Sequence, residues 1–514
     1  MRRSLAAAAV ALYLLCLVPA ALTVRPHFKL SHDAATYAIL AESLASGKGY
    51  TYQGYPHVKY PPGYPLALST VFALKGKDFL SMRVFMAVLA GLSLLCAWRF
   101  AAARHGEGIG AAVLAGTAAT AFFVEHAAYT LTDVPFLGLF SLAAWAGASL
   151  VRRPSPGRGI LAGALTAAAA SFRLVGLILL PALVLAWFTG RRRGRPATPL
   201  LLAALLVLVP AGLWFRYKAT ASPRIPESLR EGATYLGEMR GGLWLNAPKG
   251  ILPNVLLQLE VRPVILCGTA ARFLTGERAG RSDQAGWLGQ GGVFSILCLA
   301  VLLLAVLRTA WKKREPADWF LFLYLGVLMV TPPFVGPRYF VPILPLLLGG
   351  LFEGAALLGG RSPRARRGAV LAACLAYLAL WIPVTWKALA RERAEPYYRG
   401  DQGPFVAALD FLRKETDPGE VTICNEAALA HFLSERPAWG FPLTTEKEVR
   451  EWILSKGDLV LLSSWGYPVN EAFLRKAAAG LAREGRLVPW KEFKGKGKVG
   501  EAPPFSLLLK VKKD

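Results

Sequence analysis

Leu131–Leu150 reads LTDVPFLGLFSLAAWAGASL, with one acid, Asp133, at its entrance and the pair Arg152-Arg153 just past its end. A helix of that length rises about 30 Å, the thickness of a bilayer's hydrocarbon core. An acid at one end and a basic pair at the other is the signature of a span that crosses the membrane with a defined direction. The same pattern repeats along the chain. Eleven spans are expected, at about 4–24, 80–101, 108–125, 131–150, 158–172, 174–190, 198–215, 289–309, 317–335, 339–358 and 367–387. Of the 514 residues, 54% are hydrophobic and 18% charged, against about 25% charged in soluble domains. The expected fold is mainly α: a polytopic membrane helix bundle spanning residues 1–388, followed by a small soluble α/β domain, 389–514.

The net charge of +26 invites a nucleic-acid reading, but the placement of the charges argues against one. They gather in short clusters between apolar blocks: Arg2-Arg3, Arg152-Arg153, Arg191-Arg192-Arg193, Lys312-Lys313-Arg314 and Arg364 with Arg366-Arg367. That is the positive-inside pattern, and no aromatic-interleaved basic groove accompanies it. With a cytoplasmic N-terminus every cluster falls inside. The segments 25–79, 126–130, 216–288 and the tail then fall outside, in a multi-pass protein of the plasma (inner) membrane. The first span is read as a retained anchor, since its apolar run is long for a cleaved signal. Cys16, Cys96, Cys298 and Cys374 lie in apolar spans as small hydrophobes. Cys267 and Cys424 lie in expected external segments, and no CxxC spacing suggests structural zinc.

Two external segments exceed the length of simple turns. In 25–79, Asp33, Tyr37, Leu40 and Leu44 keep helical spacing, Gly47-Lys48-Gly49 ends that helix, and Pro61-Pro62 opens another from Gly63 to Leu74. These read as interfacial helices. In 216–288, the run Ile251–Leu274 is broken by Pro253 and Pro263 and reads as helix lying at the interface. The tail alternates: strands at 421–424, 458–462, 487–493 and 505–511, helices at 446–454 and 470–484.

Four stretches could carry chemistry. Ser31-His32-Asp33-Ala34-Ala35-Thr36-Tyr37 places an acid one step outside the first span, where the bland reading is a helix N-cap. His57-Val58-Lys59-Tyr60-Pro61-Pro62-Gly63-Tyr64-Pro65 is a stiff aromatic corner with one cation. It is read either as an interface belt with a snorkelling lysine or as a phosphate site. Asp133 opens the fourth span, with Pro135 in the first turn. Arg338 in Gly336-Pro337-Arg338-Tyr339-Phe340, like Arg173, sits outside against the positive-inside trend. Each is an interface anchor or an anion ligand. Together they put two carboxylates, one lysine and two arginines on one membrane face. Glycosyl transfer from a lipid phosphate needs a base for the acceptor hydroxyl and cations for the departing phosphate.

These motifs, in the order Asp33-Ala34-Ala35-Thr36-Tyr37, Lys59-Tyr60-Pro61-Pro62-Gly63-Tyr64-Pro65, Thr132-Asp133-Val134-Pro135-Phe136 and Arg338-Tyr339-Phe340-Val341-Pro342-Ile343-Leu344-Pro345, resemble the GT-C glycosyltransferases. Within them the chain is similar to the protein mannosyltransferase and aminoarabinose–lipid A transferase group, over the membrane part. The resemblance implies Asp33 as base, with Asp133 as the second acid. The expected site also has Lys59, Arg173 and Arg338 around the donor phosphate, and His32, Tyr37, Tyr60, Tyr64 and Tyr339 around the substrate. Ala34 stands where the mannosyltransferases have Glu, and Tyr60 separates Lys59 from the Pro-Pro pair that follows lysine directly in the aminoarabinose enzymes. The expected partners are the bilayer, a polyprenyl-phosphate sugar donor and a lipid, glycan or protein acceptor, with no nucleic acid. A divalent metal, if used, would have Asp33 and Asp133 as its ligands. The competing readings are a multi-pass lipid or solute transporter, expected to carry repeats and midplane charges, and a non-catalytic scaffold for envelope assembly.

Overall fold

The structure is a computed structural model and describes residues 2–190, 196–225, 313–330, 337–394, 398, 402–441, 445–465, 468–495 and 505–513. The expected span 289–309, most of the segment 216–288, and Cys267 and Cys298 lie outside these.

The other ten expected spans fall on helices: α1 (Arg2–Ala21), α4 (Phe79–His105), the pair α5 (Glu107–Ala119) and α6 (Ala121–Ala127), α7 (Asp133–Arg152), α8 (Pro156–Phe172), α9 (Leu179–Thr189), α10 (Thr198–Ala221), α11 (Pro316–Val330), α12 (Leu344–Leu358) and α13 (Pro363–Ala394). Among the described residues, four are long and apolar enough to cross a membrane alone, those at 79–105, 133–152, 198–224 and 363–390. The span expected at 108–125 is instead bent by 64° between α5 and α6. Thr120 is extended there and breaks the helix. Thr385 donates to the Ala119 carbonyl, and the Thr120 hydroxyl, 2.8 Å from that of Tyr377, donates to the Gly116 carbonyl at 2.7 Å. The Ala119 carbonyl, freed by the break, is therefore satisfied by a side chain, which makes a break tolerable in an apolar setting. The span expected from 339 begins as a 3-10 turn, Pro337–Phe340, and becomes α-helical only at Leu344.

Small residues set the close approaches. A Cβ on Gly159 would lie 2.2 Å from the Pro199 carbonyl oxygen, and one on Gly163 2.7 Å from the Ala203 Cα. This small-xxx-small spacing lets α8 and α10 touch backbone to backbone.

The first long loop folds as expected into α2 (His32–Ala45) and α3 (Gly63–Lys75). Between them lies an unforeseen hairpin, β1 (Thr51–Tyr52) and β2 (Tyr55–Pro56). Its turn residues Gln53 and Gly54 both have positive φ, the geometry that matches strand twist in two-residue turns.

The tail holds α14 (Gln402–Glu415), β3 (Thr422–Cys424), α15 (Ala427–Ser434), β4 (Ala438–Trp439), α16 (Glu446–Lys456), β5 (Leu459–Ser463), α17 (Pro468–Arg483), β6 (Leu487–Lys494) and β7 (Phe505–Val511). The sheet order is β4-β3-β5-β7-β6, with β4, β3 and β5 parallel and the rest antiparallel. Pro489 sits on the outermost strand at a register shift, where its missing N–H costs least. Cys424 is a buried free thiol on β3.

Two apolar cores matter for the site. Ile423, Val449, Ile453, Val460, Leu474, Leu481 and Leu509 close the tail on itself. A second core mixes loop and tail: Phe28, Leu40, Tyr64 and Met86 pack with Phe405, Leu409, Leu429, Phe432 and Leu461. Gln53 adds a polar link, its amide donating to the Ala438 carbonyl at 2.6 Å and accepting from the Ala438 N–H at 3.2 Å.

Candidate active site at the loop end of the bundle

Helix α2 brings Asp33 to the site because its other face is made of small residues. Ala34, Ala35, Ala38 and Ala41 are fully buried, so the helix seats deeply and its polar first turn is held at the rim. Asp33 is the second residue of α2 and Ser31 the N-cap. Its carboxylate does not cap the helix. Oδ1 accepts from the Tyr60 hydroxyl at 2.7 Å and Oδ2 from Arg338 Nη1 at 2.7 Å.

Tyr60 is placed by its own loop. The His57 Nε2 accepts the Tyr60 backbone N–H at 3.1 Å, and the two rings stack 5.3 Å apart. Tyr37 packs 4.7 Å from Tyr60 and edge-on to Tyr64. Tyr64 is fully buried, with its hydroxyl on the Met86 sulfur at 3.1 Å, and its ring packs against Tyr37 and Phe172. The Pro61-Pro62-Gly63 corner is fixed by contact. A Cβ on Gly63 would fall 2.3 Å from the Ser171 hydroxyl, so only glycine lets α3 meet the end of α8. Lys59 is buried with its ammonium 5.2 Å from the centre of the Tyr60 ring.

The second acid lies beside the first pair. Asp133, first residue of α7, is paired with Arg173 at the junction of α8 and the 3-10 turn Leu174–Ile178. Arg173 and Arg338 both face the Tyr339 ring, at 5.9 and 5.2 Å. Arg338 Nη2 is 3.3 Å from the Tyr339 hydroxyl. Tyr339 is anchored through its carbonyl, which accepts from the Tyr324 hydroxyl at 2.8 Å. One aromatic ring thus separates two acid–arginine pairs. The acids differ in access: the Asp33 side chain is 25% exposed and that of Asp133 3%. Only Asp33 is open to an incoming hydroxyl.

His32, beside Asp33, has its Nδ1 3.4 Å from Glu426 Oε2, a residue of the tail. The sequence offered no motif around Glu426, and it was not foreseen as part of the site. Burial pushes the Asp33 pKa up, but Arg338, Lys59, His32 and the Tyr60 hydrogen bond outweigh it and hold the group well below the usual carboxylate range. Asp33 is therefore ionised at neutral pH. Burial, then Lys59 and Lys218, push His57 down to about 3, so its ring is neutral and free to accept from Tyr60. For a divalent ion, Asp33 and Asp133 are poor ligands as they stand, each already matched by a guanidinium. Among the described residues no group of three His, Cys, Asp or Glu side chains is placed to hold a metal.

Residues 59–214 match the family of dolichyl-phosphate-mannose-protein mannosyltransferases. No curated protein sequence matches the chain. Among solved structures, ArnT from Cupriavidus metallidurans bound to undecaprenyl phosphate is similar over 97% of both chains, with 14% identity and a TM-score of 0.60. Its apo state is similar over 98% of both, with 13% identity and a TM-score of 0.60. The oligosaccharyltransferase of Archaeoglobus fulgidus, in complex with zinc and sulfate, has a TM-score of 0.55 and 10% identity over 88% of this chain and 67% of that one. The GT-C resemblance read from the motifs holds: this is a mainly helical, multi-pass membrane protein of GT-C fold with a small C-terminal sheet domain.

Proposed function

We propose that the protein is an integral-membrane glycosyltransferase that moves a sugar from a polyprenyl-phosphate carrier to an acceptor hydroxyl. The observation that carries this reading is Asp33, an accessible, ionised carboxylate held at 2.7 Å by both Tyr60 and Arg338, next to the Arg173–Asp133 pair. The likeness to ArnT, whose structure holds undecaprenyl phosphate, supports the donor class. The mannosyltransferase match supports the chemistry.

In the proposed reaction Asp33 takes the acceptor proton as the acceptor oxygen attacks the anomeric carbon. The bond from that carbon to the phosphate oxygen breaks, and the electron pair leaves with the lipid phosphate. A single displacement inverts the anomeric centre. Arg338, with Lys59 and Arg173 nearby, neutralises the charge that grows on the phosphate. The Asp33–Arg338 contact couples the two halves of the reaction. A bound phosphate competes for Arg338, and the carboxylate it leaves behind gains proton affinity as the donor arrives. Asp133, buried and paired, orients Arg173.

The test is incubation of the purified protein in nanodiscs with defined polyprenyl-phosphate sugars and an acceptor panel, reading released polyprenyl phosphate by mass spectrometry. Release by wild type and none by Asp33→Asn supports the reading. No release from any donor in a folded protein that binds them, or release undiminished in Asp33→Asn, overturns it.

A further inference from the structure

We propose that Glu426, from the C-terminal domain, is a positioning residue of the transfer site, holding the His32 imidazole beside Asp33. The inference rests on the reading of Asp33 as base.

Glu426 is a costly residue where it stands. It is 4% exposed, and a buried carboxylate needs a counter-charge. It occupies the N-cap position of α15 but makes no capping bond with its side chain. Its Oε2 lies instead 3.4 Å from His32 Nδ1, across the boundary between tail and membrane part. The approach is fixed by packing. α15 lies on α2, in the core that joins Ala34 and Ala38 to Ala428, so the two helices come close and their first turns meet.

The charged groups facing His32 are Glu426, Asp33 and Lys59. Burial and Lys59 disfavour the imidazolium; the two carboxylates favour it, Glu426 most, and the balance raises the proton affinity of the ring. The ring is thereby a better proton acceptor, and once protonated it puts positive charge next to the proposed base. That charge keeps Asp33 ionised between turnovers and adds a third kind of cation to the rim. A purely structural Glu426 would hold the tail down but leave the pH dependence of transfer alone.

The experiment uses the full chain in nanodiscs with 13C-labelled histidine, and the His32 signal is assigned by its loss in His32→Gln. Glu426→Gln keeps shape and an acceptor oxygen but removes the charge. The expected result is a His32 titration midpoint about one unit lower, roughly a tenfold loss of proton affinity. Glu426→Asp should restore part of it. In the transfer assay the alkaline limb of kcat/KM should move down by the same amount in Glu426→Gln and vanish in His32→Gln. An unchanged midpoint in folded Glu426→Gln overturns the proposal. So does a wild-type pH profile in His32→Gln, which serves if Glu426→Gln does not fold. Full transfer by Asp33→Asn would sink the base reading instead, and the NMR midpoint would still decide whether Glu426 controls His32.

Discussion

Asp33 is held by one neutral donor and one charged one, and the two make separable predictions. With Ser31 at the cap position, Asp33→Asn removes no capping bond and gives up only the acid's favourable charge in the first turn, about 0.3 to 1 kcal/mol. It keeps an oxygen for Tyr60 and loses the proposed base. Transfer should fall by about 100- to 10,000-fold, with donor binding measured by lipid-phosphate titration preserved; wild-type turnover would remove the mechanism. Arg338→Ala should lower turnover by on the order of 100-fold. Arg338→Lys should rescue poorly, because an ammonium cannot reach Asp33 Oδ2 and the Tyr339 hydroxyl as the planar fork does. Near-normal rates in a folded Arg338→Ala would make it an interface anchor. Both neighbours lose stability as pH falls, but in different windows. Asp33 is depressed in the fold, so its contribution to stability persists above its unfolded value and fades only below about pH 4. His57 is buried neutral near 3; the unfolded chain takes up its proton first, and stability falls as pH drops below about 6.5. Thermal unfolding between pH 7 and 4 should show a slope that His57→Gln flattens. An equal slope in that variant would assign it elsewhere.

At the scale of elements, the end of α13 is pinned by charge. Glu392 meets the buried Arg83 of α4 at 3.2 Å and Lys29 at 3.4 Å, and its backbone carbonyl accepts from Arg25. This explains why the helix continues to Ala394, past the boundary expected at 388. Glu392→Gln leaves Arg83 with a buried, uncompensated charge and should destabilise by about 3 kcal/mol, read by denaturation in detergent; a loss under about 0.5 kcal/mol would show the clamp to be ornamental. How much could be read beforehand follows from separation in sequence. The helices of the first loop were legible because their apolar spacing and Gly-Pro punctuation are local. Asp33, Asp133, Arg173 and Arg338 were legible as a set because each stands at the end of a span. Which acid pairs with which arginine was not: Arg338 lies 305 positions from Asp33, and nothing in either motif encodes that reach. The break at Thr120 was hidden for a similar reason. No proline or glycine stands at Thr120 or beside it, and the groups that meet it, Tyr377 and Thr385, belong to a distant helix. Gln53 and Glu426 stand outside any motif, and only the tertiary fold gives them partners.

For the whole molecule, the basic clusters predict that the N-terminus is cytoplasmic and that the site and the tail lie on the opposite side. A reporter that works only outside the cytoplasm, fused after Asp514, should be active, and one that works only inside should be silent. The reverse would move every site residue to the other face. The shared core of loop and tail has a consequence in time. Phe28, Leu40 and Leu131 are made early, and the partners that cover them, from Phe405 to Leu508, come last. At ribosomal rates the gap to Phe405, roughly 270 to 380 residues, lasts about 15 to 75 s. Through that interval the nascent chain holds an apolar, half-built core at the membrane surface, a natural client for a chaperone. A chain cut short before residue 402 would stay in that condition and be cleared by proteases, while the same tail supplied as a separate polypeptide on the correct side should rescue it.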